Sequence, residues 1–371
     1  MDLTIDQTIN QLIKTGNHYK KIKNYDAMKN CYLEAIEHNS DKAMYNLAVH
    51  YKNMSDYENM IKYYKMAINN NNKDALSELI KYYKHLIDYY NRTEHDKNKI
   101  INIYHNLSDL DDVDAMKNLA DHYKDNENYE EMIKYYLMAI DKDDSDSMVN
   151  LGDYYRFRNN YKEMEKYYLM AIEKGNSKAM KNFAKYYRYT NYDLMKKYYL
   201  MAIDLGNVDA MNSLADYYKD NFHYEEMEKY YLMAIDLGNV DAMKNLANYY
   251  KDNFHYEEME KYYIMAAIEK GDVYAMKKLA EYYKINENYE EMNKYYIMAI
   301  GKDNVDAMVQ LANYYKYIKN YDLMNKYYLM AVMAVKKHGN NYLYNYYSYN
   351  LYELEHMFNI ETQTNTSCLI L

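Results

Sequence analysis

Apolar residues recur along this chain at helical spacing, and the pattern they make is itself repeated. Met211, Leu214, Ala215 and Tyr218 fall at i, i+3, i+4 and i+7, and Met227, Tyr230, Tyr231, Ala234 and Ile235 follow the same rule. Each stripe predicts an amphipathic helix. The run Asp209-Ala-Met-Asn-Ser-Leu-Ala-Asp-Tyr-Tyr-Lys219 returns as Asp241-Ala-Met-Lys-Asn-Leu-Ala-Asn-Tyr-Tyr-Lys251, and each is followed by Tyr-Glu-Glu-Met-Glu-Lys-Tyr-Tyr, from Tyr224 and from Tyr256. Aligned on the first apolar residue of the first block, the copies start at Leu12, Met44, Leu76, Met116, Met148, Met180, Met211, Met243, Met276 and Met308, spaced by 32, 32, 40, 32, 32, 31, 32, 33 and 32 residues.

Each copy therefore reads as two antiparallel helices, A and B. Helices of about a dozen residues are marginal alone in water, so each pair must bury its stripe against the next. The fold class expected is an all-α solenoid of about ten helix pairs with a C-terminal capping helix. The layout is a leader over 1–11, helix pairs over 12–338, a capping helix over 339–358 and a flexible tail over 359–371 that ends Cys-Leu-Ile-Leu. Eight extra residues before the third helix B place an insertion near 86–96, taken up by a loop or by a longer helix A. Gly175, Gly206, Gly238, Gly271 and Gly339 each follow a helix B and precede Asn or Asp, or Asn at 340, which fits a left-handed C-cap leading into an N-cap. Glu130 with Lys134, Glu225 with Lys229, Glu257 with Lys261 and Glu290 with Lys294 are expected to pair at i,i+4 on the exposed face of helix B. Of each Tyr-Tyr pair, one ring is expected in the core and its neighbour on the groove or the adjoining copy, with hydroxyls at the rim available to a ligand. Met at a constant register reads as core packing.

Composition agrees with repetition. The chain has 371 residues with 56 Tyr, 29 Met, 8 Gly, no Trp and no Pro, which speaks against a turn-rich sandwich or barrel. A net charge of -10 argues against nucleic acid, which requires a basic footprint. Met1 to Gly16 mixes polar and apolar residues, unlike a signal peptide, and no window is long and apolar enough for a membrane span. A cytoplasmic location follows. Phosphate-loop, dinucleotide and zinc-protease spacings are missing, His85, His95 and His105 stand ten residues apart rather than at ligand spacing, and Cys31 reads as an inert packing residue. No enzymatic activity, metal or cofactor is expected.

The residues resemble the tetratricopeptide family, in particular its Sel-one-like branch. A large residue is followed by Leu three on, a small residue and then an aromatic, as in Met308, Leu311, Ala312 and Tyr315; helix B adds Tyr328 and Ala331, and Tyr-Tyr-x-Met-Ala-Ile leads into a Gly-Asn turn. The period is shorter than the family's usual 34 or more, and the proline common at the end of its helix B is missing. The resemblance implies a right-handed superhelix whose concave face, lined by A helices, binds peptides or partner proteins. An RNA-binding helical-repeat protein and an accessory subunit of an enzyme complex are the alternatives.

Two features carry candidate chemistry. The residue after the helix A tyrosine is basic in every copy: Lys20, Lys52, Lys84, Lys124, Arg156, Arg188, Lys219, Lys251, Lys284 and Lys316. Cations in a last helical turn complement the helix dipole; the other reading is a basic ladder that receives an acidic peptide or partner. Lys244 with Asn248 resembles, in one copy, the clamp by which some tetratricopeptide domains hold a C-terminal carboxylate. The terminal Cys368-Leu369-Ile370-Leu371 resembles a prenylation box whose final Leu favours geranylgeranyl transfer. A lipid on Cys368 would give reversible association with the cytosolic face of a membrane.

Overall fold

The computed structural model describes residues 5–93 and 96–337. The expected capping helix, the tail with Cys368, Gly339 and His95 lie outside the described residues. Two compact units divide between Ala179 and Met180. The first holds α1 (Ile5–Lys21), α2 (Tyr25–Glu37), α3 (Asp41–Asn53), α4 (Tyr57–Asn69), α5 (Lys73–Thr93), α6 (Lys97–Ser108), α7 (Val113–Asp125), α8 (Tyr129–Ile140), α9 (Ser145–Phe157) and α10 (Tyr161–Glu173). The division falls within α11 (Ser177–Tyr187); the second unit continues with α12 (Tyr192–Asp204), α13 (Val208–Asp220), α14 (Tyr224–Asp236), α15 (Val240–Asp252), α16 (Tyr256–Ile264), α17 (Val273–Ile285), α18 (Tyr289–Ile300), α19 (Val305–Tyr317) and α20 (Tyr321–Lys337). The described residues are all-helical, without a strand, and consecutive helices pair as a solenoid requires. Odd helices are the A elements and even helices the B elements.

One turn design joins nearly all of them. In the α7–α8 link the amide of Glu127 bonds the Lys124 carbonyl at 3.0 Å and that of Asn128 bonds the Tyr123 carbonyl at 2.8 Å, with Glu127 left-handed at φ 57°. That is the Schellman arrangement, which satisfies the carbonyls a helix end leaves open. Asn128 then caps α8 by accepting from the Glu131 amide. A three-residue link thus ends one helix and starts the next, with no need of proline. Gly175, Gly206, Gly238 and Gly271 take the left-handed position as expected, at φ 68–79°. Asn39, Asn71, Asp111, Asp143 and Asp303 take it in other B-to-A links, so glycine marks only some of these turns.

Irregular copy lengths are absorbed inside helices. α5 has 21 residues where α3 has 13, and the difference of eight is the whole insertion. Leu86 to Thr93 hold neither Gly nor Pro, and Ala75, Leu79, Tyr83 and Ile87 continue one buried stripe at four-residue intervals, so the helix has no reason to stop. The single extra residue of the copy that starts at Met243 is Ala266 or Ala267, and there α16 passes into a π-helical turn, Met265–Glu269, that buries both alanines. The copy one residue short has an α11 of 11 residues.

The core is built from the expected positions. Met28, Met60, Met132, Met164, Met195, Met227, Met259, Met292 and Met324, one from each of nine even helices, are fully buried, against Ala and Leu of the odd helices. The tyrosine pairs of the even helices depart from expectation: both rings are buried. The first stacks almost parallel on the odd-helix tyrosine of its own copy, as in Tyr123 with Tyr135 at 5.7 Å and 5° and Tyr250 with Tyr262 at 5.9 Å and 6°. The second lies under the small residue of the odd helix. At Gly152 a Cβ would stand 2.7 Å from the Tyr168 ring, so only a very small residue leaves that ring its place.

Candidate functional site

The hydroxyl of that second tyrosine is not presented at a rim. It donates to a residue of the preceding odd helix: Tyr32 to Asn17 at 2.7 Å, and Tyr136 to Asp121, Tyr168 to Asp153, Tyr231 to Asp216, Tyr263 to Asn248 and Tyr328 to Asn313 at 2.5 Å. Burial, and then the bond to Asp121, push the Tyr136 hydroxyl above the usual phenol range. This acceptor column was not read from the sequence. Its signal is a recurring Asp or Asn two residues before the basic column's tyrosine, and a reading based on apolar positions passes over it.

The basic column occupies the last turn of α1, α3, α7, α9, α13, α15, α17 and α19. Arg188 follows α11 directly, whereas Lys84 lies inside the lengthened α5, so helix-end electrostatics do not account for it. Several members bind the next copy: Lys52 pairs with Glu78 at 2.8 Å, Lys84 with Asp112 at 2.9 Å and Arg188 with Asp220 at 2.7 Å, while Arg156 approaches Asp153 of its own helix at 3.8 Å. Hydrogen bonds from Lys52, and then Lys81, hold the Glu78 carboxyl below its usual range. Lys124, Lys251, Lys284 and Lys316 are exposed and Lys219 is half-buried. Lys244 is held by Asp241 at 3.0 Å and Asp272 at 3.3 Å, and Asn248 accepts from Tyr263 and Tyr274.

The expected i,i+4 pairs shift by one residue. Lys134 bonds Glu131 at 2.7 Å and Lys294 bonds Glu291 at 2.8 Å, both i,i+3, while Lys229 and Lys261 lie over the rings of Tyr230 and Tyr262 at 5.4 and 5.0 Å. The ring next to each lysine offers its face and turns the ammonium from the first Glu of the pair. Cys31 is half-buried, and burial, then Glu34, push its thiol up, which keeps it protonated. No group of three or more His, Cys, Asp or Glu able to hold a metal is found among the described residues, and none of the described helices is long and apolar enough to cross a membrane.

A family model described as tetratricopeptide repeat matches residues 43–76 and 115–148, and a second model of the same description matches 145–173. The first two segments begin on Ala43 and Ala115, the first buried residues of α3 and α7, so the match falls in the register of the helix pairs. Over these segments the chain is similar to the tetratricopeptide repeat. Among solved structures, the chain is similar to a protective antigen of uropathogenic Escherichia coli with an SLR fold, at 17% identity over 93% of this chain and 83% of that one, TM-score 0.46. A Sel1 repeat protein from Oxalobacter formigenes is 19% identical over 69% of this chain and 96% of that one, TM-score 0.37. The human IFIT1 dimer with PPP-AAAA is 13% identical over 95% and 94%, TM-score 0.41. No curated protein matches the chain in sequence.

Proposed function

We propose that this chain is a non-catalytic interaction scaffold that holds a peptide or partner protein on the face made by its odd helices. The observation that carries the reading is the recurrence of one cationic side chain at one register of successive odd helices, with Lys124, Lys251, Lys284 and Lys316 exposed. Arg156, Arg188 and Lys219 complete the candidate ladder, and Lys244 with Asn248 lies beside it. Such a ladder suits an acidic segment, whose carboxylates meet each cation in turn. Repetition of near-identical copies supports a binding surface over a catalytic centre, because chemistry needs one unique constellation of groups.

Charge reversal at Lys219, Lys251 and Lys284 together tests the ladder. Capture of partner proteins from the native cell is expected to fall by an order of magnitude or more, since each lost ion pair weakens binding and each new carboxylate repels. Unchanged capture sinks the ladder. We further propose that Cys368 is prenylated and tethers the chain reversibly to the cytosolic face of a membrane. Intact mass and detergent partitioning of the wild-type chain against Cys368→Ser, from eukaryotic expression, are expected to differ by one lipid.

A further inference from the structure

The links α13–α14 and α15–α16 keep the backbone turn of the α7–α8 link, with the amides of His223 and His255 bonding the Tyr218 and Tyr250 carbonyls at 2.9 and 2.8 Å, but fill it with residues that suit it poorly. The runs 219–231 and 251–263 are identical in sequence, Lys-Asp-Asn-Phe-His-Tyr-Glu-Glu-Met-Glu-Lys-Tyr-Tyr. Their left-handed positions hold Phe222 at φ 62° and Phe254 at φ 64°, where the corresponding links hold Lys23, Ser55, Glu127, Asn159, Glu287 and Lys319. A bulky residue is disfavoured in that conformation. Their N-caps are His223 and His255, neither of which makes a side-chain capping bond, whereas Asn128, Asn160 and Asn288 all do.

The imidazoles of His223 and His255 meet Tyr218 and Tyr250 edge-on at 6.0 and 6.1 Å, but the two phenylalanines stay in the open. Phe222 and Phe254 are each 76% exposed, and each ring touches only the edge of the tyrosine two residues on, Tyr224 or Tyr256, at 6.3 Å. Local rules that fail together, twice, at exposed aromatic side chains mark a surface kept for something outside the chain.

That surface has depth and a sign. Behind Phe254 opens a cavity of about 460 Å³ lined by Lys251, Asp252, Phe254, Tyr256, Tyr282 and Ile285; Ile285 is 81% exposed. One copy earlier the Tyr224 ring, edge-on to Phe222, lies 5.2 Å from that of Tyr249. Around the two phenylalanines the first turns of α14 and α16 place Glu225, Glu226, Glu257 and Glu258, all exposed. Against these four carboxylates stand Lys219, Lys251 and Lys284, and Asp252 adds a fifth, while Asp220 is neutralised by Arg188 and, in the cavity lining, Glu281 by Lys278 at 2.8 Å. The edge is apolar at its centre and acidic at its rim, which disfavours nucleic acid and anionic lipid.

We propose that this edge, from Phe222 across Phe254 to Ile285, docks a partner segment that carries large apolar side chains flanked by Lys or Arg. The apolar side chains seat against Phe222 and in the cavity behind Phe254, and the basic flanks meet the glutamates. It rests on the scaffold reading; the edge adjoins the ladder, with Lys251 common to both, but takes a guest of opposite charge.

The test selects binders of the full-length chain from a phage-displayed library of random 12-residue peptides, then measures an enriched peptide by fluorescence polarisation. Enriched sequences are expected to combine Leu, Ile or Phe with Lys or Arg. Restoring the local rules with Phe222→Asn, His223→Asn, Phe254→Asn and His255→Asn should leave the melting temperature equal or higher and weaken that peptide by about tenfold or more, the loss typical of a buried aromatic anchor. Charge reversal at Lys219, Lys251 and Lys284 should tighten it, and 0.5 M salt should weaken it, by about severalfold in each case. Acidic enriched peptides lost on lysine reversal and indifferent to the turn variant overturn this inference and leave the ladder standing. A basic peptide that binds the turn variant as well as the wild type overturns it too, as does a library that yields nothing.

Discussion

At the scale of single residues, the buried tyrosine of each even helix shows how one position can stabilise a copy or weaken it. Its hydroxyl is sealed from water, so it needs an acceptor inside the protein. Asp121 supplies one to Tyr136, but the equivalent position in α3 is Val49, and the Tyr64 hydroxyl is buried with no partner among the described residues. The same change should therefore have opposite signs in two copies. Tyr64→Phe is expected to leave stability unchanged or raise it by about 1 kcal/mol, because it removes an orphaned polar group. Tyr136→Phe should cost about 1–2 kcal/mol, because Asp121 loses its donor. Urea denaturation of both variants at one pH checks this; equal losses would show that the Asp and Asn column contributes nothing through hydrogen bonding. Val49→Asn should recover part of what Tyr64 lacks.

At the scale of elements, the helices were legible because each needs only a 3.6-residue stripe, and ten copies of a stripe are unmistakable. The links were legible only where glycine stood in them. Phe222 and Asp143 adopt the same left-handed conformation as Gly175, yet neither residue type signals it, so the shared turn design emerges only from backbone geometry. The acceptor column and the docking edge escaped for a related reason: both lie off the apolar stripe that sets the alignment. Length changes went where helix propensity is high and no breaker intervenes, into α5 and into the end of α16. The π-helical turn Met265–Glu269 is thus the mark of one surplus alanine, and it replaces i to i+4 bonds with poorer i to i+5 ones. Deleting Ala267 should restore a regular α16 that matches α14 and raise the melting temperature by about 1–2 °C, the shift expected for about 1 kcal/mol in a chain of this length. A lower melting temperature would mean that the π turn fits its surroundings better than a regular helix does.

At the scale of the molecule, the main helix-to-helix contacts among the described residues join elements adjacent in sequence. Stability should then be close to a sum over copies and their interfaces, and removing whole copies should shorten the array without unravelling the rest. The division between the two units cuts α11, so a chain begun at Met180 would carry an incomplete helix. The Gly206 turn is a better place, because Asn207 caps α13 through the Ala210 amide and belongs to the retained part. A fragment of residues 207–371 keeps the four pairs α13 to α20 with every link between them. It should show the per-residue ellipticity of the full chain at 222 nm, melt cooperatively at a lower temperature because α13 has lost its neighbour, and give a urea m-value reduced in rough proportion to the surface it buries. It should also keep the docking edge, since Phe222, Phe254 and Ile285 all fall within it. A fragment that is unfolded, or one with the m-value of the whole chain, would show that the copies are held by something other than their nearest neighbours.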